Sequence, residues 1–172
     1  MTNPGVVTMK GSPLTLIGHM PKTGDAAPDA EMLNNDLTPV KLSSFRGKIC
    51  ILASVPSLDT PVCDIETRRF NTEAAGLGSD VVILTISMDL PFAQKRWCGA
   101  AGIHNVITLS DHRAAEFGKA YGTLIQELRL LARSVVVIDR NGIVRYVELV
   151  KEITEEPNYG AALAIVKSLT AS

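Results

Sequence analysis

The chain has 172 residues, of which 46% are hydrophobic and 20% are charged, and its formal net charge is −1. This length and composition predict one domain, residues 1–172, with a well-buried core. Lysine and arginine are scattered rather than clustered, which argues against a nucleic-acid partner. The first residues lack the pattern of a signal peptide, and no run approaches the roughly 18 apolar residues of a membrane span. We therefore expect a cytoplasmic protein without a membrane partner.

Three cysteines, Cys50, Cys63 and Cys98, suit a reducing compartment better than they suit a secreted disulfide framework. None belongs to a C-x-x-C pair. The three histidines show no ligand spacing with one another or with the cysteines. We therefore expect no metal and no other cofactor.

The first third of the chain predicts short strands. Two apolar patches, GVVTMK (5–10) and LTLIG (14–18), flank Gly11, Ser12 and Pro13, and together they predict an N-terminal β-hairpin. A polar stretch follows, and TPVKLSSFRGK (38–48) then predicts a strand edge and a turn.

The middle of the chain alternates between apolar runs and segments with helical spacing. The predicted buried strands are 48–55, 80–87 and 105–111, and the predicted helices are about 61–77, 91–101 and 113–121. Near-continuous apolar strands separated by helices predict a central sheet that is covered on both faces.

The pattern changes after residue 133. SVVVIDRNGIVRYVELV (134–150) predicts two strands joined at Asn141 and Gly142, a strong hairpin signal. Residues 155–171 have Pro157 near their start and apolar residues at helical spacing, which predicts a last helix packed on the sheet. Parallel βα units that end in an antiparallel hairpin and a helix are the layout of a thioredoxin-like fold. The predicted class is therefore α/β, with a central mixed sheet flanked by helices.

The stretch SVPSLDTPVCDIETRRFN (54–71) joins the first buried strand to the first of these helices. Asp59 or Thr60 can act as the N-cap and Pro61 suits the first helical position, so Cys63 falls in the first turn. Unpaired backbone N–H groups and the positive end of the helix dipole favour a thiolate there. The alternative is a first-turn cysteine that only packs. The residues expected to form the apolar face of this helix are Val62, Ile65, Phe70, Ala74 and Leu77.

The same stretch resembles the signature of bacterial thiol peroxidases, a group of atypical two-cysteine peroxiredoxins. Peroxiredoxins show Pro, three residues, Thr, two residues and Cys, and Pro56, Thr60 and Cys63 have this spacing. The stretches DLPFAQKRWCGAAGIHNVITLSD, ELRLLARSVVVID and EITEEPNY are also similar to the family. The resemblance therefore covers nearly the whole chain.

The resemblance implies a role for each of five residues. Cys63 corresponds to the peroxidatic cysteine and Cys98 to the resolving cysteine. Arg133 matches the arginine beside the thiolate, Thr60 the threonine whose hydroxyl bonds within the site, and Pro56 the proline that shields it. The implied function is reduction of hydrogen peroxide and organic hydroperoxides. The implied reductant is thioredoxin or a similar dithiol protein, and the implied assembly is a homodimer.

The chemistry explains why one cysteine is not sufficient. A free cysteine is only about 3% thiolate at pH 7, so full ionisation accelerates attack at most about thirtyfold. Donors aimed at the two peroxide oxygens must supply most of the acceleration. The planar guanidinium of Arg133 suits that role better than a lysine does. Cys50 lies inside an apolar strand and matches no family position, so we expect it in the core.

The positions of the two cysteines also predict a conformational change. Cys63 should begin one helix and Cys98 should lie in the next, with a strand between them. A disulfide needs Cα atoms within roughly 4.4–6.8 Å, and we expect two such positions to lie farther apart than this. We therefore expect one or both segments to unwind before a disulfide forms.

Three other interpretations remain open at this point. Cys63 and Arg69 have the C-x5-R spacing of a tyrosine-phosphatase loop, although the acidic residues between them would repel a phosphate dianion. A thioredoxin-type disulfide reductase would need a second cysteine at position 66, where the chain has Glu66. A non-enzymatic redox sensor would use Cys63 but would not require Thr60 or Arg133.

Overall fold

A computed structural model describes residues 1–171 of the chain. The strands are β1 (Thr2–Met9), β2 (Ser12–Ile17), β3 (Glu31–Leu33), β4 (Pro39–Lys41), β5 (Ile49–Ser54), β6 (Val81–Ser87), β7 (Ile107–Ser110), β8 (Leu124–Ile125), β9 (Leu130–Leu131), β10 (Ser134–Ile138) and β11 (Val144–Leu149). The α-helices are α1 (Pro61–Ala74), α2 (Pro91–Ala101), α3 (Glu116–Ala120) and α4 (Tyr159–Thr170), and a short 3-10 helix covers Leu42–Phe45.

The central sheet has seven strands in the order β11-β10-β5-β6-β7-β3-β4. β5, β6 and β7 run parallel, in a register that places Ile51 beside Ile83 and Leu84 beside Ile107. The strands on both flanks are antiparallel, and β10 lies between β5 and β11. This topology is the predicted thioredoxin-like fold with a central mixed sheet.

The two faces of β5 pack against different layers, because alternate side chains of a strand point in opposite directions. Ile49, Ile51 and Ala53 belong to a cluster that includes residues of α1 and α4 and contacts α2. Cys50 and Leu52 belong to a second cluster on the other face, together with residues of α3. The central sheet is therefore covered on both faces, as predicted.

The N-terminal hairpin was also predicted correctly, and β1 and β2 pair in antiparallel register. The structure adds a second sheet that the sequence did not predict, in the order β1-β2-β8-β9. Its apolar residues form a separate cluster with Ala132 and Ile153. The hairpin thus packs beside the segment that leads into β10.

One detail of the helices differs from the prediction, and the last helix agrees with it. Ile65 was expected on the apolar face of α1, but it is 50% exposed. Phe70 is buried as predicted, and the other buried side chains of α1 are Cys63, Glu66 and Thr67, which were not expected on this face. The last helix begins after Pro157, at an N-cap formed by Asn158, whose side chain accepts a hydrogen bond from the Ala161 amide at 3.0 Å.

Among residues 1–171, no helix is both long and apolar enough to cross a membrane.

Candidate active site

The loop that follows β5 is anchored by Asp89, at the end of the neighbouring strand β6. The Asp89 carboxylate accepts hydrogen bonds from the Ser57 hydroxyl at 2.7 Å, the Leu58 amide at 2.9 Å and the Ser87 hydroxyl at 2.7 Å. Pro56 is buried at the start of this loop. The loop is therefore held in place before α1 begins, by the burial of Pro56 and by the hydrogen bonds of Ser57 and Leu58 to Asp89.

Thr60 is the N-cap residue of α1, and Pro61 occupies the first helical position as predicted. The Thr60 hydroxyl does not cap the helix; it donates to the Ser57 carbonyl at 2.9 Å. The Asp64 amide donates to the Thr60 carbonyl at 3.0 Å and closes the first turn. The Cys63 amide therefore belongs to the N-terminal N–H groups without an acceptor inside the helix.

Cys63 lies at the bottom of this first turn and its side chain is 0% exposed. Val55 and Leu58 form a small apolar cluster around it, and Trp97 of α2 packs against that cluster. Arg133 Nη1 donates to Cys63 Sγ at 3.3 Å. A guanidinium and a helix N-terminus thus act on the same sulfur, and both stabilise negative charge there.

Arg133 is held by the backbone around it, although it lies 70 residues from Cys63 in the chain. Its Nε and Nη2 atoms donate to the Ile153 carbonyl at 3.1 and 2.8 Å. The Ser54 hydroxyl donates to the Ala132 carbonyl at 2.7 Å and lies 2.6 Å from the Ser134 hydroxyl. These bonds tie both neighbours of Arg133 to the end of β5. The guanidinium is therefore fixed, with Nη1 directed at the sulfur.

Glu66 is a site residue that the sequence interpretation missed. It is fully buried, and its Oε1 atom lies 3.6 Å from Arg133 Nη1. Burial raises the pKa of the Glu66 carboxyl from 4.5 to about 8, against the opposing effect of Arg133. The available signal was its position three residues after Cys63, on the same face of α1. In the sequence, Glu66 served only as an argument against a phosphatase loop and against a disulfide reductase.

Cys98 lies on α2 and is half-buried, with its Sγ atom 3.6 Å from Thr108 Oγ1. Cys63 and Cys98 are both free thiols with different neighbours, and Trp97 packs between their two clusters. Cys50 is also free and buried, and burial raises the pKa of its thiol to about 11. Cys50 therefore lies in the core, as expected.

The phosphatase interpretation does not survive the structure. The residues from Cys63 to Arg69 lie inside α1 rather than in a loop that wraps a phosphate. Arg69 points away from the sulfur: its Nε donates to Glu73 at 3.1 Å and its guanidinium stacks over Tyr159.

No group of three or more His, Cys, Asp or Glu side chains within residues 1–171 is arranged to hold a metal ion.

Known proteins resemble this chain over most of its length. Residues 22–163 match the Redoxin family. The thiol peroxidase of Bacillus subtilis is 56% identical over 163 residues, which cover 95% of this chain and 97% of that protein. The thiol peroxidase of Halalkalibacterium halodurans is 54% identical over 162 residues, which cover 94% of this chain and 97% of that protein.

Two solved structures are similar to this chain. The peroxiredoxin-like protein from Aquifex aeolicus superposes with a TM-score of 0.90 at 45% identity, covering 96% of this chain and 97% of that one. The thiol peroxidase from Chromobacterium violaceum gives a TM-score of 0.84 at 20% identity, covering 94% and 95%, and at this identity it shows the shared fold alone.

The fold and the buried Cys–Arg pair are those of a thiol-based redox protein. The chain belongs to the redoxin family and, within it, to the bacterial thiol peroxidases. It is a peroxidase that acts on a peroxide and depends on a thiol reductant.

Proposed function

We propose that Cys63 attacks the hydroperoxide as a thiolate. The observation that carries this proposal is the 3.3 Å contact between Arg133 Nη1 and Cys63 Sγ in a buried first helical turn. Nε and Nη2 of the buried Arg133 donate to the Ile153 carbonyl, and these bonds hold the guanidinium against the sulfur. A preorganised donor of this kind requires no reorganisation when charge develops.

Attack on the peroxide forms an S–O bond and breaks the O–O bond. The sulfur is oxidised to a sulfenic acid, and the second oxygen leaves as hydroxide or alkoxide, which takes a proton from solvent to become water or an alcohol. Arg133 and the Cys63 amide are the donors that we assign to the charge moving across the O–O bond. The Thr60 hydroxyl gives its proton to Ser57, so it offers an oxygen lone pair to the peroxide O–H. We assign to Pro56 the role of shielding the sulfur.

The sulfenic acid is resolved by Cys98 in this proposal. The Cys98 thiol condenses with the sulfenic acid of Cys63, an intramolecular S–S bond forms, and one water leaves. The first turn of α1, the segment around Cys98, or both must unwind to bring the sulfurs together. Pro61 and Gly102, which ends α2 in a left-handed conformation, delimit the segments that have to open.

The reductant that we propose is thioredoxin or a similar dithiol protein, which reduces the disulfide by thiol–disulfide exchange. We also propose a homodimer, a cytoplasmic location and a single domain of residues 1–172, which the family resemblance and the composition support. The cycle uses cysteine chemistry alone and needs no added cofactor.

A steady-state assay tests this function. Catalytic amounts of the protein are mixed with thioredoxin, thioredoxin reductase and NADPH, and NADPH consumption is followed with hydrogen peroxide, tert-butyl hydroperoxide or cumene hydroperoxide. We expect many turnovers per protein molecule. One rapid turnover that then stops would reject thioredoxin as the reductant. No rapid turnover with any of the peroxides would reject the role of Cys63.

A further inference from the structure

We propose that Asn35 and Thr108 are positioning residues that keep Cys98 a protonated, weakly nucleophilic thiol while α2 is folded. This inference rests on the proposed role of Cys98 as the resolving cysteine. It assigns a function to two residues that take no part in the attack on the peroxide.

The first step concerns the direction of the hydrogen bonds. Thr108 Oγ1 lies 2.8 Å from Asn35 Oδ1, an atom that can only accept. The Thr108 hydroxyl proton is therefore committed to Asn35. Cys98 Sγ lies 3.6 Å from the same Thr108 oxygen, so it faces a lone pair and must supply the proton itself. A thiol is satisfied by this arrangement, whereas a thiolate would meet another acceptor.

The second step concerns burial. Thr108 is only 3% exposed and lies on β7, so its hydroxyl cannot replace Asn35 by turning to bulk water. Asn35 belongs to a loop that is itself ordered: the Asn34 side chain accepts hydrogen bonds from the Asp36 and Thr38 amides at 2.8 and 3.0 Å. The acceptor that commits the Thr108 proton is therefore held in place.

The third step concerns the attachment to α2. The same loop contacts this helix a second time, because Lys95 Nζ lies 3.1 Å from Asp36 Oδ1. Lys95 and Cys98 are three residues apart and share one face of α2. A groove of about 260 Å³ runs between this loop and the helix and is lined by Cys98 and Thr108. Small reagents can therefore reach the Cys98 sulfur while the hydrogen bonds are intact.

The consequence is an order of events in the catalytic cycle. In the folded, reduced protein the Cys63 sulfur accepts a hydrogen bond from Arg133, whereas the Cys98 sulfur faces a lone pair of Thr108 and stays inert toward peroxide. Unwinding of α2 separates Cys98 from Thr108 and makes the Cys98 thiol available as a nucleophile. This happens after the sulfenic acid has formed on Cys63. The resolving thiol is thus protected from oxidation until it is needed.

The test measures how fast iodoacetamide alkylates Cys98 in the reduced, full-length protein, with peptide mass spectrometry to distinguish the three cysteines. Iodoacetamide reacts with the thiolate. Asn35→Ala frees the Thr108 hydroxyl to donate to the sulfur, and we expect alkylation to be roughly three- to tenfold faster than in the wild type. Asn35→Asp keeps an acceptor at this position and should alkylate no faster than the wild type.

Two further variants separate the hydrogen bonds from general loosening. Asp36→Ala removes the contact with Lys95 on the same loop and should leave the rate near that of the wild type. Thr108→Val removes the hydroxyl, so adding Asn35→Ala to it should produce no further change. The proposal is overturned if Cys98 is alkylated in Asn35→Ala at the wild-type rate. It is also overturned if Asn35→Asp or Asp36→Ala accelerates the alkylation as much as Asn35→Ala does. A third contrary result would be that Asn35→Ala accelerates the alkylation equally in the Thr108→Val background.

No peroxide or reductant enters this experiment. A failed peroxidase assay would therefore reject the proposed function without changing the alkylation result. Equal alkylation rates in Asn35→Ala and the wild type would reject the present inference without changing the result of the peroxidase assay.

Discussion

Glu66 Oε1 lies 3.6 Å from Arg133 Nη1, the same nitrogen that donates to Cys63 Sγ at 3.3 Å. A buried carboxyl and the Cys63 sulfur thus lie against one guanidinium nitrogen, and of the two only the sulfur accepts a hydrogen bond from it. Burial is the largest influence on Glu66 and raises its pKa from 4.5 to about 8, and the charges of Glu148 and Glu156 act in the same direction. Near neutral pH this carboxyl is therefore largely protonated, and the positive charge of Arg133 remains available to the Cys63 sulfur.

The first prediction concerns stability and pH. Between about pH 4.5 and pH 8 the folded protein keeps the Glu66 proton that the unfolded chain releases, so stability falls as pH rises through this window. The contribution is at most about 1.4 kcal/mol per pH unit. Burial also raises the pKa of Asp111 to about 6, so the window that isolates Glu66 lies above that value. There Glu66→Gln should remove the slope, measured as the free energy of unfolding in urea up to about pH 8. Glu73→Gln, on the same helix but partly exposed, should keep it. An unchanged slope in Glu66→Gln would mean that another group titrates.

The second prediction concerns the donor beside the sulfur. Arg133→Lys keeps the charge but loses the planar arrangement that reaches Cys63 and the Ile153 carbonyl together. Loss of one preorganised donor costs about 2.7–4 kcal/mol, so the rate constant for reaction with peroxide should fall by roughly two to three decades. Stopped-flow measurement of that rate constant checks the prediction.

The matched control for this variant is Arg145→Lys, at a half-exposed arginine that pairs with Asp139 on the opposite side of the hairpin turn. Its rate constant should equal that of the wild type. An Arg133→Lys protein that reacts as fast as Arg145→Lys would show that Arg133 is not a catalytic donor.

The third prediction separates the cysteines. Cys63→Ser should abolish peroxide consumption, because an alcohol is not appreciably ionised at neutral pH. Cys50→Ser should leave turnover nearly intact at some cost in stability, because it places a hydroxyl in a buried strand. Peroxide consumption and thermal unfolding of both variants provide the measurement. Activity above a few per cent in Cys63→Ser would place the nucleophile elsewhere, and a folded but inactive Cys50→Ser would contradict the core role of Cys50.

The fourth prediction concerns the loop before α1. Asp89→Ala removes three hydrogen bonds that hold Ser57, Leu58 and Ser87. We expect a loss of about 2 kcal/mol in the free energy of unfolding. We also expect slower reaction with peroxide, because Ser57 in turn anchors the Thr60 hydroxyl. Asp59→Ala, at an exposed position of the same loop, should change neither quantity. Equal effects of the two substitutions would mean that the Asp89 carboxylate does not order the loop.

The fifth prediction concerns resolution. Cys98→Ser should complete one rapid turnover, stop at the sulfenic acid when thioredoxin is the only donor, and over-oxidise readily. In the wild type, amide hydrogen exchange over residues 59–66 and 92–102 should be faster in the oxidised protein than in the reduced one. Identical exchange in both states, with the cysteines already at bonding distance, would refute local unwinding.

The order of the central elements was accessible from the sequence because each is specified locally. The apolar runs of β5, β6 and β7 are separated by segments with helical spacing, and Asn141 and Gly142 fix the hairpin turn. The short strands β3, β8 and β9 have two or three residues each and no pattern of their own. They exist because a neighbouring strand offers hydrogen bonds, so they could not be predicted from their own residues.

The same distinction applies to the site. The sequence by itself placed Cys63 in the first turn of a helix, because Pro61 is a local signal, and the family resemblance selected Arg133, Thr60, Pro56 and Cys98 as its companions. Only the tertiary structure decided that Ile65 faces solvent and Glu66 faces Arg133, because the rotation of α1 is set by packing on the sheet. It alone also joined Asn35, Thr108 and Cys98. These three residues come from a loop, a strand and a helix, and hydrogen bonds between distant segments leave no periodic trace in the chain.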